Sequence, residues 1–146
     1  MDYMINPVMM GGLVKEVTGN QVKVHLHGRL GVITVPKRLI RTKEVLEPGH
    51  EMEFYFSYIQ VVNDPYDYDS AAMNLDMELI PSLLGGTIIE VNDTAAKVEI
   101  MENMGTIAVP RRWLFTAEAL AIGQQVEFYM SPLRMIGKRD IPQESI

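Results

Sequence analysis

The chain has 146 residues, 13 basic and 19 acidic side chains, a formal net charge of -6 and a pI near 5.0. That balance excludes the uniformly basic composition of most nucleic-acid-binding domains and leaves only a local patch for such a role. The absence of cysteine excludes disulfides and thiolate metal sites. Hydrophobic residues make up 47% of the chain, yet no apolar run approaches the roughly 18 residues of a membrane span. The opening MDYMINPVMM lacks a basic stretch ahead of an apolar core, so it does not read as a signal peptide. The expectation is a cytoplasmic protein with no membrane partner.

Taken in chain order, the elements occur twice. Gly11–Ser57 aligns with Gly85–Ser131 at an offset of 74 residues, without a gap and with 19 identities in 47 positions. Internal repeats decide architecture, so each unit is read once. Residues 2–6 and 75–80 are expected to form a short strand ended by Pro7 and Pro81, which lack the N–H that a ladder needs. The glycine pairs Gly11-Gly12 and Gly85-Gly86 predict a bend or a close backbone approach. Leu13–Val17 and Thr87–Val91 are β-rich, and Thr18-Gly19-Asn20 and Asn92-Asp93-Thr94 are turn signals. Gln21–His27 alternates: Val22, Val24 and Leu26 face one way, Lys23, His25 and His27 the other. Gly28–Gly31 predicts a second turn. Val32–Val35 is a strand that Pro36 should end, and a helical turn over Lys37–Lys43 carries Leu39 and Ile40 into the core. After the turn Glu47-Pro48-Gly49, the longest strand is expected at Met52–Val62, matched by Val126–Ile136.

This pattern predicts a mainly β chain of two tandem small β-barrels, each with a short helical turn. The first repeat spans 1–74, with Asn63–Asn74 as a variable loop or linker, and the second spans 75–146. Units of roughly 70 residues have marginal cores, so the two are expected to pack together or to dimerise.

The run of Gly12, Val14, Val17, Val22, Val24, Leu26, Gly28, Gly31, Val35, Leu39, Gly49, Met52 and Phe54 resembles the RNA-binding domain of ribosomal S-one type, an oligonucleotide-binding (OB-fold) barrel. The resemblance covers most of each unit and implies single-stranded RNA as ligand. The first turn holds Thr18, Gly19 and Asn20, where domains of that type carry stacking aromatics. The stretch GVITVPKRLI followed by LEPGHEMEFY is similar to the swapped-hairpin DNA-binding domain of AbrB-type regulators, which work as intertwined dimers. That likeness covers about the second half of one unit.

Candidate binding residues are cationic. Lys37-Arg38 and Arg111-Arg112 recur just after the Val-Pro that ends a strand, where they can grip phosphates. Lys23, His25, His27 and Arg29 share the outer side of the first unit, on the strands that form the usual platform of such barrels. Gly11–Ser57 carries seven basic and five acidic residues, against three and six in Gly85–Ser131, so an anion belongs to the first repeat. His25 and His27 stand two apart on one strand without a third ligand, and Asp64, Asp67 and Asp69 lack calcium-loop spacing. No metal site or cofactor is expected. The histidines His25, His27 and His50 have no repeated partner and no nucleophile pattern, so no catalytic residue is assigned. The reading is a non-enzymatic binding module that takes single-stranded RNA weakly through the first repeat's basic face. The alternatives are an interaction or assembly module with a protein partner or as a homodimer, and an AbrB-type DNA-binding regulator.

Overall fold

The computed structural model describes residues 5–74 and 79–138. The chain is mainly β, two tandem barrel-like units joined in one 12-stranded sheet. The first repeat supplies β1 (Val8–Thr18), β2 (Gln21–Leu26), β3 (Val32–Pro36), β4 (Ile40–Arg41), β5 (His50–Phe56) and β6 (Ile59–Val62). The second supplies β7 (Ser82–Val91), β8 (Ala95–Ile100), β9 (Thr106–Pro110), β10 (Leu114–Phe115), β11 (Gln125–Met130) and β12 (Leu133–Lys138). The expected helical turn after Pro36 is a single 3₁₀ turn, Lys37–Leu39, which buries Leu39 and passes into β4. Arg111–Trp113 repeats it and buries Trp113.

Val22, Val24 and Leu26 face the core as the alternation requires, together with Ile33, Val35, Phe54 and Phe56. The glycine pairs do not bend the chain. They lie inside β1 and β7, where a side chain would strike a packed neighbour: His27 over Gly11, Tyr68 over Gly85, and the valines Val24 and Val98 over Gly12 and Gly86. The expected strands at 2–6 and 75–80 fall largely outside the described residues. Their described ends, 5–6 and 79–80, carry no regular structure.

The strand order is palindromic: β10-β6-β11-β7-β8-β9-β3-β2-β1-β5-β12-β4. At its centre β3 pairs antiparallel with β9, and Ile33 faces its own repeat counterpart, Ile107. Phe56 likewise faces its counterpart Met130 where β5 meets β11. A residue that pairs with its own copy marks an approximate two-fold axis, so both repeats are related about these points.

The predicted long strands Met52–Val62 and Val126–Ile136 are each broken. β5 ends at Phe56, and after Ser57-Tyr58 the chain crosses into the other unit, where β6 pairs with β11. Reciprocally β12 returns after Ser131-Pro132 to pair with β5. The repeats therefore exchange their last strands and are intertwined.

Two buried serines hold the crossings. Ser57 Oγ accepts the Tyr129 N–H at 2.8 Å and donates to its neighbour's carbonyl. Ser131 Oγ accepts the Tyr55 N–H at 2.8 Å and donates in the same way. Removing either hydroxyl leaves a half-buried backbone N–H without this partner. Ser57→Ala and Ser131→Ala are each expected to lose about 1–3 kcal/mol of stability in urea titrations. A loss below a few tenths in both would show that the crossings do not depend on these bonds.

Candidate nucleic-acid interface

The platform of the first repeat does not end at β3. Because β9 occupies its free edge, strands β1, β2, β3, β9, β8 and β7 form one continuous surface across the two-fold seam. On β2, Lys23 lies opposite Glu16 and Thr34, and His25 lies opposite Leu13 and Val32. Across the seam the row continues through Thr106 to Glu99 and through Ala108 to Lys97. Lys15 is the extra residue of a bulge in β1 and projects beside Lys23, and sequence reasoning missed it. No sequence signal marked it, because the bulge, which recurs at the same point in β7 with Ile89 as the inserted residue, shows only in the strand register.

Burial, then the charges of Lys15 and Lys23, push the His25 imidazole below its ordinary value. The shift favours the neutral imidazole over the cation at this position. Glu16, opposite Lys23, accepts the Thr18 hydroxyl at 3.0 Å.

The structure divides the remaining candidates instead of gathering them. His27 begins a 3₁₀ turn and its ring lies over Gly11, on the β1 side of β2. The 3₁₀ turns carrying the Val-Pro-basic sequence sit at opposite ends of the β3–β9 seam. At one end, Arg38 Nη2 donates to the Glu102 carbonyl at 3.0 Å. The Glu102 carboxylate accepts from Ser70 of the linker, and Arg41 donates to the Met73 carbonyl at 2.6 Å. Lys37 is exposed beside the β1–β2 turn, its N–H bonded to the Asn20 carbonyl. Arg111 is tied down in the same place of the second repeat, Nη1 donating to the Asn92 carbonyl at 2.8 Å. At the other seam end Arg112 and Arg29 are both exposed, and neither forms an ion pair or hydrogen bond among the described residues.

Repeat symmetry makes the charge difference legible. Lys15 corresponds to Ile89, His25 to Glu99, Gly28 to Glu102 and Arg29 to Asn103, whereas Lys23 keeps its charge as Lys97. The first repeat's side of a nearly two-fold surface is thus cationic and the second's is acidic.

Elsewhere the linker covers the second repeat. Tyr68 lies on Gly85 and donates to Glu127 at 2.8 Å, and the buried Glu127 also accepts from Gln60 at 2.5 Å. Burial and the hydrogen bond to Glu127 push the Tyr68 hydroxyl up to about 12. In the first repeat the equivalent pair is an ion pair, Glu53 with Arg134. A shallow cleft of about 620 Å³ lies between Tyr66, Tyr68, Gly85, Glu99 and Gln125. No described His, Asp or Glu residues converge in threes as metal ligands, and no described helix is long and apolar enough to cross a membrane.

Among known proteins, no family model and no curated protein matches the chain. Of the solved structures, one of the cytoplasmic molybdate-binding protein ModG, with molybdate bound, is similar. It is 19% identical, covers 91% of this chain and 96% of that one, and has a TM-score of 0.27. That likeness is too slight to bear on this chain's ligand.

Proposed function

We propose that the protein is a non-enzymatic binding module that takes a short stretch of single-stranded RNA along β2 of the first repeat. The observation that carries the reading is the charge asymmetry of a nearly two-fold molecule. Lys15, Lys23 and Arg29 on the first repeat, with Arg112 from across the seam, have no acidic partner bound to them among the described residues. From Lys23 to the turn at His27 the surface spans about 13 Å, at roughly 3.3 Å per residue of extended strand. That is room for two or three backbone phosphates. The β2–β3 surface carries no Phe, Tyr or Trp on either strand, so base stacking contributes little beyond the His25 ring and phosphate contacts dominate. Binding should be weak, sequence-tolerant and strongly salt-dependent.

Fluorescence anisotropy with a labelled oligouridylate should show binding at low ionic strength, with log affinity falling about 0.7 for each phosphate contact per log unit of salt. Lys15→Gln and Lys23→Gln should each reduce that slope by about one contact, while Lys97→Gln on the second repeat leaves it unchanged. No binding at low salt, or equal effects of Lys23→Gln and Lys97→Gln, overturns the reading.

A further inference from the structure

We infer that the strand site of the first repeat ends in a phosphate pocket completed by the other repeat, with Arg29 and Arg112 gripping one phosphate group beside the Leu30 N–H. The inference rests on the strand-binding reading for its ligand but on separate geometry for its site.

The molecule contains its own reference. Across the seam Val32 faces Ala108, and the backbone of Gly31 packs directly on Ala108 and Val109. The turn Arg111–Trp113 consequently starts beside the turn His27–Arg29. At the two-fold-related place the reach of such an arginine is seen directly, because Arg38 extends to the carbonyl of Glu102. There the chain itself supplies the acceptor, the Glu102 carbonyl, and the same residue carries a carboxylate that accepts from Ser70 of the linker. At the first repeat's end the counterpart of Glu102 is Gly28, and no acceptor of the chain reaches Arg112 among the described residues. What Gly28 lacks is the negative charge of the Glu102 side chain, and an anion would supply it.

Two backbone observations point the same way. Met104 closes its turn by donating N–H to the Met101 carbonyl at 3.2 Å, whereas the corresponding Leu30 N–H makes no such bond. Arg29 is held at φ 58°, in the left-handed region, where its counterpart Asn103 sits at φ 56°. Asparagine tolerates that conformation and arginine does so at a cost. An arginine kept where asparagine would be more stable indicates that its charge is used. A phosphate matches the fork of donors that two guanidinium groups and one N–H present.

The test is a set of amide and guanidinium NMR titrations with inorganic phosphate, run beside anisotropy with a 5′-phosphorylated tetrauridylate, on wild type, Arg112→Gln, Arg29→Asn and Arg38→Gln. Phosphate should shift Leu30 N–H and the Arg29 and Arg112 side chains in wild type. Arg112→Gln should weaken the oligonucleotide about tenfold, a change of one charge-assisted contact, while Arg38→Gln leaves it unaltered. Arg29→Asn should weaken binding and at the same time raise the melting temperature, a pairing that loss of fold cannot produce. Phosphate shifts that vanish in Arg112→Gln support the pocket even if RNA itself fails to bind, in which case only the strand reading falls. Wild-type RNA binding matched by Arg112→Gln, or phosphate shifts absent from Leu30, overturns the pocket and leaves the strand reading standing.

Discussion

Gly31→Ala should cost about 3 kcal/mol or more of unfolding free energy, and so should Gly105→Ala. Two effects combine at each site. Gly31 has φ 114° and Gly105 φ 106°, a backbone conformation that residues with a Cβ rarely adopt. A methyl group at Gly31 would also lie 1.9 Å from the Ala108 carbonyl oxygen, and one at Gly105 would lie 1.9 Å from that of Thr34. Both obstacles are backbone atoms of the facing strand, so they cannot move without opening the pairs Val32–Ala108, Ile33–Ile107 and Thr34–Thr106. Gly19→Ala is the control: it has φ 58° but open space around it, and should cost only the left-handed penalty of about 1–2 kcal/mol. Urea titrations of the three variants separate strain from collision. A Gly31→Ala loss no larger than that of Gly19→Ala would mean that the seam is not closely packed. The double variant Gly31→Ala with Gly105→Ala should approach the whole stability of a small protein and fail to fold.

The repeat, the alternation of Val22, Val24 and Leu26, and the strand stop at Pro36 were legible because they are local properties of period and backbone chemistry. The strand exchange was not, because Phe54, Tyr55 and Phe56 look alike whichever unit the next strand joins. One local signal was nonetheless present. Pro132 falls in the middle of the predicted strand Val126–Ile136, where a ladder would need its N–H, and the serines Ser57 and Ser131 immediately precede the two crossing residues. The identity of those serines reads as simple duplication until the structure shows each bonding to the other repeat.

The site was legible in part for the same reason. Cations on β2 could be assigned to an outward face by alternation alone. Joining Arg112 to Arg29 required the β3–β9 pairing, a contact between positions far apart in the chain. How Lys37-Arg38 lies relative to Arg111-Arg112 was hidden for the same reason, because only the seam carries the two turns to opposite ends. For the glycine pairs the close approach was legible and the bend was not needed; what they make room for, His27 and Tyr68, arrives from elsewhere in the sequence.

Trp113→Ala should destabilise the protein by about 3–5 kcal/mol, through the crossing of the first repeat's chain. The Trp113 Nε1 donates to the Ser57 carbonyl at 2.9 Å, in a buried position. Its ring stacks on Tyr58 at a centroid distance of 4.0 Å and lies nearly parallel to Phe56 at 6.1 Å. Tyr58 is covered on its other face by Phe115 at 4.7 Å. A column of four rings from both repeats thus fixes the segment on which β6 leaves its own unit. At the second crossing the counterparts are Leu39 for Trp113 and Pro132 for Tyr58, and the fixed φ of proline does there what stacking does at the first. Trp113→Leu alone should therefore lose about 2 kcal/mol or more, and Tyr58→Pro alone a comparable amount, since each removes one partner of the same stack. Made together they give the first crossing the Leu and Pro of the second while Phe56 and Phe115 stay. Because the two residues share one contact, the double variant should lose less than the sum of the single losses by about 1 kcal/mol. Because Trp113 is the only tryptophan, the unfolding must be followed by far-ultraviolet circular dichroism. Strict additivity in that cycle would show that Trp113 and Tyr58 act independently, and would remove their stacking as a reason that the exchange is stable.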